Sequence, residues 1–157
     1  MKGRAKKIEK ILVPMDGSKG SFESFKMACE IASRMHAKIQ PVSIVESLIR
    51  ETFQESLMIN TEIFIDVGKE QEKLVRQREE EMRSWSRCHQ KHTAIMKSIV
   101  RVGDPKKVIP KLAQKLKTDL LIMTAQALRK PGFHPFPSFW CRWAFSEVPY
   151  FFSLASA

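Results

Sequence analysis

Apolar residues in this chain fall into two spacings, short continuous runs and stripes of every third or fourth position, and the two alternate. Within residues 7 to 16, Ile11, Leu12 and Val13 form a run too short for a helix, closed at once by Asp16, Gly17 and Ser18. A buried strand entering a loop has this form. Ser18 or Ser21 then supplies an N-cap for a helix whose apolar positions Phe22, Phe25, Cys29, Ala32 and Met35 step by three and four, ending near His36. Residues 38 to 46, with Ile39, Val42, Ile44 and Val45, predict a second strand. Pro41 is expected near its start, where a missing ladder bond matters least.

Residues 47 to 62 carry no clear pattern. From about residue 65 to 92 there is no proline, and Gly68 is the one glycine. Seven acids and seven bases over residues 60 to 92 put opposite charges at helical spacing, as in Glu72 with Arg76 and Glu79 with Arg83. A long exposed helix follows, with Leu74, Met82 and Trp85 turned inward. Residues 93 to 102 predict a third strand through Ile95, Ile99, Val100 and Val102. Gly103, Asp104 and Pro105 mark the next strand-to-helix junction, with Asp104 as N-cap and Pro105 at the first helical position. Val108, Ile109, Leu112 and Leu116 stripe that helix, and residues 119 to 124 make a fourth strand whose Leu120, Leu121, Ile122 and Met123 are apolar on both faces.

Strands alternating with helices predict an α/β fold with a parallel sheet. Ligands in such sheets sit beyond the carboxyl ends of the strands. The positions to weigh are therefore Asp16, Gly17 and Ser18, then Val45 and Glu46, Gly103 and Asp104, and residues 124 to 127.

Composition narrows the class. With 157 residues, 43% apolar and 28% charged, the chain suits one domain with a real core. Its net charge of +10 suggests nucleic acid, but the excess is local: +4 over residues 1 to 10 and +5 over residues 93 to 119, against −1 over residues 11 to 92. Lys106, Lys107, Lys111, Lys115 and Lys117 share one helix opposite an apolar stripe, which reads as a solvated surface and disfavours nucleic acid as a partner. No apolar run approaches a membrane span, and the basic opening leads into only five apolar residues, 11 to 15. Cys29, Cys88 and Cys141 form no paired motif. A cytoplasmic protein with no membrane association is the expectation. Cys88, His89 and His92 at the end of the long helix read as solvated rather than metal-binding, and Asp104 as a cap rather than a ligand contact. No Ser, His and Asp set or carboxylate pair offers a catalytic centre.

At this point the residues resemble a known family. Ile11-Leu12-Val13-Pro14-Met15-Asp16-Gly17-Ser18, the strand ending in Val45-Glu46, Val102-Gly103-Asp104-Pro105 and Asp119-Leu120-Leu121-Ile122-Met123 are similar in order and spacing to the universal stress protein family, over residues 8 to 124. The resemblance implies a Rossmann-like parallel five-stranded sheet with helices on both faces. It also implies a cytoplasmic homodimer paired through the terminal strand, residues 148 to 154, from Val148 to the closing Leu154. Many members bind ATP, and on that resemblance the nucleotide-contacting positions are Pro14, Met15, Asp16, Val45, Gly103, Met123 and Ser138.

The family cradles phosphates on a loop of the form G-x2-G-x9-G-[ST], whose glycines let backbone N–H groups approach. Laid on this chain, the pattern puts Thr124, Ala127 and Pro137 where the glycines belong, and Ser138 at the hydroxyl. Pro137 lacks an N–H altogether. The last fifth is chemically distinct, holding six of ten Phe, two of three Trp and four of eight Pro after residue 125. Divergence or a changed reading frame over about residues 125 to 145 would each produce it. The resulting expectation is one domain over residues 1 to 157, with 125 to 157 divergent. It is a non-enzymatic stress-response or regulatory module with weak or lost nucleotide binding, ATP remaining a candidate ligand. An ATP or AMP switch with a rebuilt phosphate loop is the first alternative, and a basic nucleic-acid-associated protein the second.

Overall fold

Ile11, Leu12 and Val13 have no solvent exposure in the computed structural model, which describes residues 7–48, 61–91, 93–124 and 150–154. They are buried because β1 (Lys10–Pro14) is paired on both sides. It runs parallel to β2 (Lys38–Val45), with Ile11 opposite Ile39, and parallel to β5 (Leu120–Thr124), with Leu12 opposite Leu121. Beyond β2 lie β3 (Ala94–Ile95) and β4 (Ile99–Val102), and beyond β5 lies β6 (Tyr150–Leu154). Because β3 and β4 share one position, the sheet has five places, all parallel, with β1 in the middle. The α/β class, the parallel sheet and its strand count are as the sequence predicts.

Alternation along the strands creates two cores. Ile11, Val13, Met15, Ile39, Leu120 and Ile122 pack with Phe25, Ala28, Cys29 and Ala32 of α1 (Lys19–Met35) and with Met82 of α2 (Thr61–His89). Leu12, Val42, Leu121 and Met123 pack on the other face with Ile109 and Ala113 of α3 (Pro105–Lys115). The caps are those expected: Ser18 Oγ accepts from Ser21 N at 3.1 Å, and Asp104 Oδ1 accepts from Lys106 N at 3.0 Å. Met35 departs from its stripe and is 41% exposed, because α1 ends there and His36 turns left-handed at φ 55°. The expected Glu72–Arg76 pair forms at 3.8 Å, whereas no Glu79–Arg83 pair forms among the described residues.

Two polar side chains hold the sheet where the sequence pattern shows only strand signals. Asp119, 6% exposed, accepts from Glu9 N and Lys10 N through Oδ2, each at 3.1 Å, clamping the start of β1 to the start of β5. Lys10 Nζ donates to Leu116 O at 2.7 Å, setting a cation on the carboxyl end of α3.

The third strand differs from expectation, since it is broken over residues 96 to 98. Ile39 O accepts from Met96 N and Val45 O from Gly103 N, so alternation turns the nitrogen of Pro41 toward the same neighbour. Proline has no hydrogen to give there, and the ladder stops. Pro41 therefore lies mid-strand, not where its ladder bond is dispensable. Between the Ile39–Ile95 and Val42–Ile99 pairs, two residues of β2 face three of the edge strand, a bulge. The buried Gln40 side chain closes the gap, donating from Nε2 to Lys97 O at 2.8 Å.

Candidate functional site

Parallel pairing delivers the ends of β1, β2, β4 and β5 to one edge of the sheet. Six of the seven candidate residues arrive there. Pro14 closes β1 and is buried; Met15, 3% exposed, carries the ladder one step further by donating to Val42 O at 2.7 Å. Asp16 follows on the surface. Val45 closes β2, half-buried, and its carbonyl accepts from Gly103 N at 2.9 Å, joining two candidate loops directly. Met123, 1% exposed, packs toward α3 near the end of β5. The seventh, Ser138, lies outside the described residues, as do Ala127 and Pro137, the positions expected for the phosphate loop.

Local chemistry fixes the β1 loop. Asp16 Oδ1 accepts from Ser18 N at 2.9 Å, an Asx-turn that aims the carboxylate at the following helix. Partial desolvation pushes the Asp16 pKa up. Hydrogen bonds from Ser18, through hydroxyl and backbone, and from Ser21 outweigh it together, so the carboxyl titrates below its usual 3.8. Gly17 adopts φ +85°, and an added Cβ would overlap the Arg78 guanidinium from α2. Gly103 adopts φ +150°, with Val108 Cγ2 3.1 Å from where a Cβ would stand. At both positions the positive φ favours glycine, and a Cβ would also have to displace a neighbouring side chain.

Arg78 was not among the expected residues, yet it sits at the centre of the edge. Its Nη1 donates to Glu81 Oε2 at 2.8 Å while the guanidinium covers Gly17. On its other side opens a cavity of about 300 Å³ lined by Ile44, Val45, Glu46, Leu74, Gln77, Arg78 and Glu81. Arg78 thus touches the β1 loop at Gly17 and shares a cavity wall with Val45. In the sequence the Arg78–Glu81 spacing is one of many opposite-charge pairs on α2, and nothing in it singles out the pair that reaches the sheet.

His89 also differs from its reading as a solvated residue. It lies half-buried in an aromatic seam between α1 and α2, 5.4 Å from the Phe25 ring, with Nδ1 2.9 Å from Trp85 O. Trp85 meets Phe22 in a tilted pair, ring centres 5.4 Å apart and planes at 50°. Among the described residues there is no group of three or more His, Cys, Asp or Glu placed to hold a metal, and no helix long and apolar enough to cross a membrane.

A five-position parallel sheet, covered by helices on both faces and opening a cleft beyond the carboxyl ends of its strands, defines a Rossmann-like α/β domain. The family model of the universal stress proteins matches residues 7–138, and the chain belongs to that family. Among solved structures it is similar to the universal stress protein UspA from Lactobacillus plantarum (18% identity, covering 98% of this chain and 100% of that one, TM-score 0.71). It is also similar to a universal stress protein in complex with cAMP (16% identity, 97% and 100% covered, TM-score 0.60). A third is an Arabidopsis thaliana family protein with AMP bound (17% identity, 95% and 92% covered, TM-score 0.58). No curated protein matches the chain in sequence.

Proposed function

We propose that the protein is a non-enzymatic regulatory module of the universal stress protein family whose capacity for a nucleoside triphosphate is weak or lost. The observation that carries this reading is a division of the cleft. For its nucleoside half, the positions expected from the family, Asp16, Val45 and Gly103, all lie at the carboxyl edge of the sheet, with Val45 O accepting from Gly103 N. Its phosphate half lacks the glycines that would let backbone N–H groups reach a triphosphate, with Thr124, Ala127 and Pro137 in their places. The two nucleotides named with structural relatives, cAMP and AMP, carry one phosphate each. That favours a nucleoside monophosphate as the second reading, because such a ligand makes less demand on the phosphate loop.

Thermal unfolding with millimolar ATP and Mg²⁺, and separately with AMP, tests both readings. Ligand at 100 times its Kd stabilises by about 2.7 kcal/mol. The expected result is no resolved shift with ATP. A shift of several degrees with ATP would overturn the main reading in favour of a working switch; a shift with AMP alone supports the second. The lysine-rich face of α3 keeps nucleic acid as an alternative, which requires steeply salt-dependent RNA or DNA binding. The module acts as a homodimer through β6, which ends the described sheet beside β5. Deleting residues 147 to 157 is expected to give monomers or aggregates, and an unchanged dimer would refute that interface.

A further inference from the structure

The bulge in the third strand and the second half of α2 enclose a cavity of about 500 Å³, apart from the cleft at Asp16 and Val45. One wall is a helical stripe: Glu79, Arg83 and Arg87 follow each other at intervals of four, with Ser86 and Gln90 beside them. The other wall is the bulge itself, Met96, Lys97 and Ser98. Pro41 makes the bulge by withholding a ladder bond, and Gln40 pins it from behind through its bond to Lys97 O at 2.8 Å. The shape therefore rests on buried residues, while the cations stand at the surface.

The charge pattern changes along α2 where the cavity begins. Lys69, Lys73, Arg76 and Arg78 pair with Asp66, Glu70, Glu72 and Glu81 at 3.8, 3.6, 3.8 and 2.8 Å. Arg83 and Arg87 form no ion pair among the described residues, and neither does Lys97 across from them. Three cations and one carboxylate, Glu79, thus share a concave site. Such a site concentrates positive field and draws anions from solution. Guanidinium forks match phosphate oxygens in pairs, and two of them one helical turn apart, about 5.4 Å, suit a ligand with more than one negative group. Ser86, Ser98 and Gln90 add hydrogen-bonding groups around them.

We infer that this cavity is a second binding site, taking a small oligophosphate or a metabolite carrying more than one phosphate through Arg83, Arg87 and Lys97. Its volume is in the range of small-molecule pockets. The site is independent of the proposed nucleotide cleft and does not rest on that reading.

Calorimetric titration of the full chain with inorganic tripolyphosphate at about 0.15 M salt tests it. Saturable binding at one site is expected, weakened at least tenfold by Arg83→Glu or Arg87→Glu, and also by Lys97→Glu on the opposite wall. The Arg78→Ala variant, which alters the other cleft, should bind as the natural chain does. All three site residues are exposed, and unchanged circular dichroism and melting temperature of each variant would show that folding is retained. Absence of saturable binding would overturn the proposal. So would tripolyphosphate binding that survives the Arg83→Glu, Arg87→Glu double variant, or a 12-residue single-stranded RNA that binds where tripolyphosphate does not.

Discussion

The guanidinium of Arg78 lies over Gly17, so close that a side chain at that position would have to push it aside. This contact ties the long helix α2 to the loop leaving the central strand. It also separates two effects that a substitution at Gly17 would combine. Gly17→Ala meets the left-handed strain of φ +85° and must displace the Arg78 guanidinium, and is expected to lower stability by about 1 to 3 kcal/mol. Adding Arg78→Ala removes the clash and leaves the strain. Chemical denaturation of both single variants and the double should show coupling of about 1 kcal/mol or more; strict additivity would mean the two residues do not meet.

Acid should weaken the Asp16 turn. The folded carboxyl titrates below 3.8, so its contribution is complete above that value and disappears as pH falls through the lower folded value. At neutral pH, Asp16→Ala is expected to cost about 1 kcal/mol through the lost bond to Ser18 N, less if solvent replaces it. The difference from the natural chain should shrink in urea melts below pH 3.8. A difference that grows on acidification would contradict the direction given.

Thiol labelling at pH 8 should divide the cysteines. Burial, with a contribution from Glu30, raises the Cys29 pKa to about 11, and the side chain packs in the core beside Ala28 and Ala32. Cys88 is exposed. Peptide mapping after iodoacetamide should find Cys88 modified in the native protein and Cys29 modified only after unfolding. Native-state modification of Cys29 would show that the core between α1 and the sheet opens.

Asp119→Ala should be among the more destabilising single changes outside the apolar core. It strips the acceptor from two backbone N–H groups, Glu9 and Lys10, at the start of the central strand. Buried bonds to a charged acceptor of this kind contribute about 1.5 to 3 kcal/mol each, so a loss of about 3 kcal/mol in equilibrium unfolding is expected. A loss under about 0.5 kcal/mol, the range of an ordinary surface change, would mean that the clamp contributes little.

What the sequence revealed and what it hid follow one physical rule. Signals confined to a few neighbouring residues read correctly: the Ile11-Leu12-Val13 run, the Ser18 and Asp104 caps, and, apart from Met35 at its end, the apolar stripes of α1 and α3. Their causes, turn chemistry and helical spacing, lie within one turn of chain. Features that need a partner from a distant segment did not read. Pro41 was expected to be harmless because its strand position is visible in sequence and the side its nitrogen faces is not. Asp119 read only as the first residue of the fourth strand, and His89 as solvated, since the segments that enclose them come from elsewhere. The candidate site divides in the same way. Asp16, Val45 and Gly103 were found from their places after strands, whereas Arg78 reaches the cleft from a helix whose polar face shows many equivalent charges.

The interruption opposite Pro41 also bears on how copies of this chain meet. Among the described residues the sheet ends at two borders, β3 with β4 on one side and β6 on the other, and an uncovered border is a template on which a foreign strand can grow. On the border formed by β3 and β4, an incoming strand would find a two-residue segment, a three-residue outward bow and then a four-residue segment. That outline cannot hold a continuous ladder. One missing hydrogen at Pro41 thereby blunts this border against indiscriminate stacking, whereas β6 on the opposite side runs through five residues without a break.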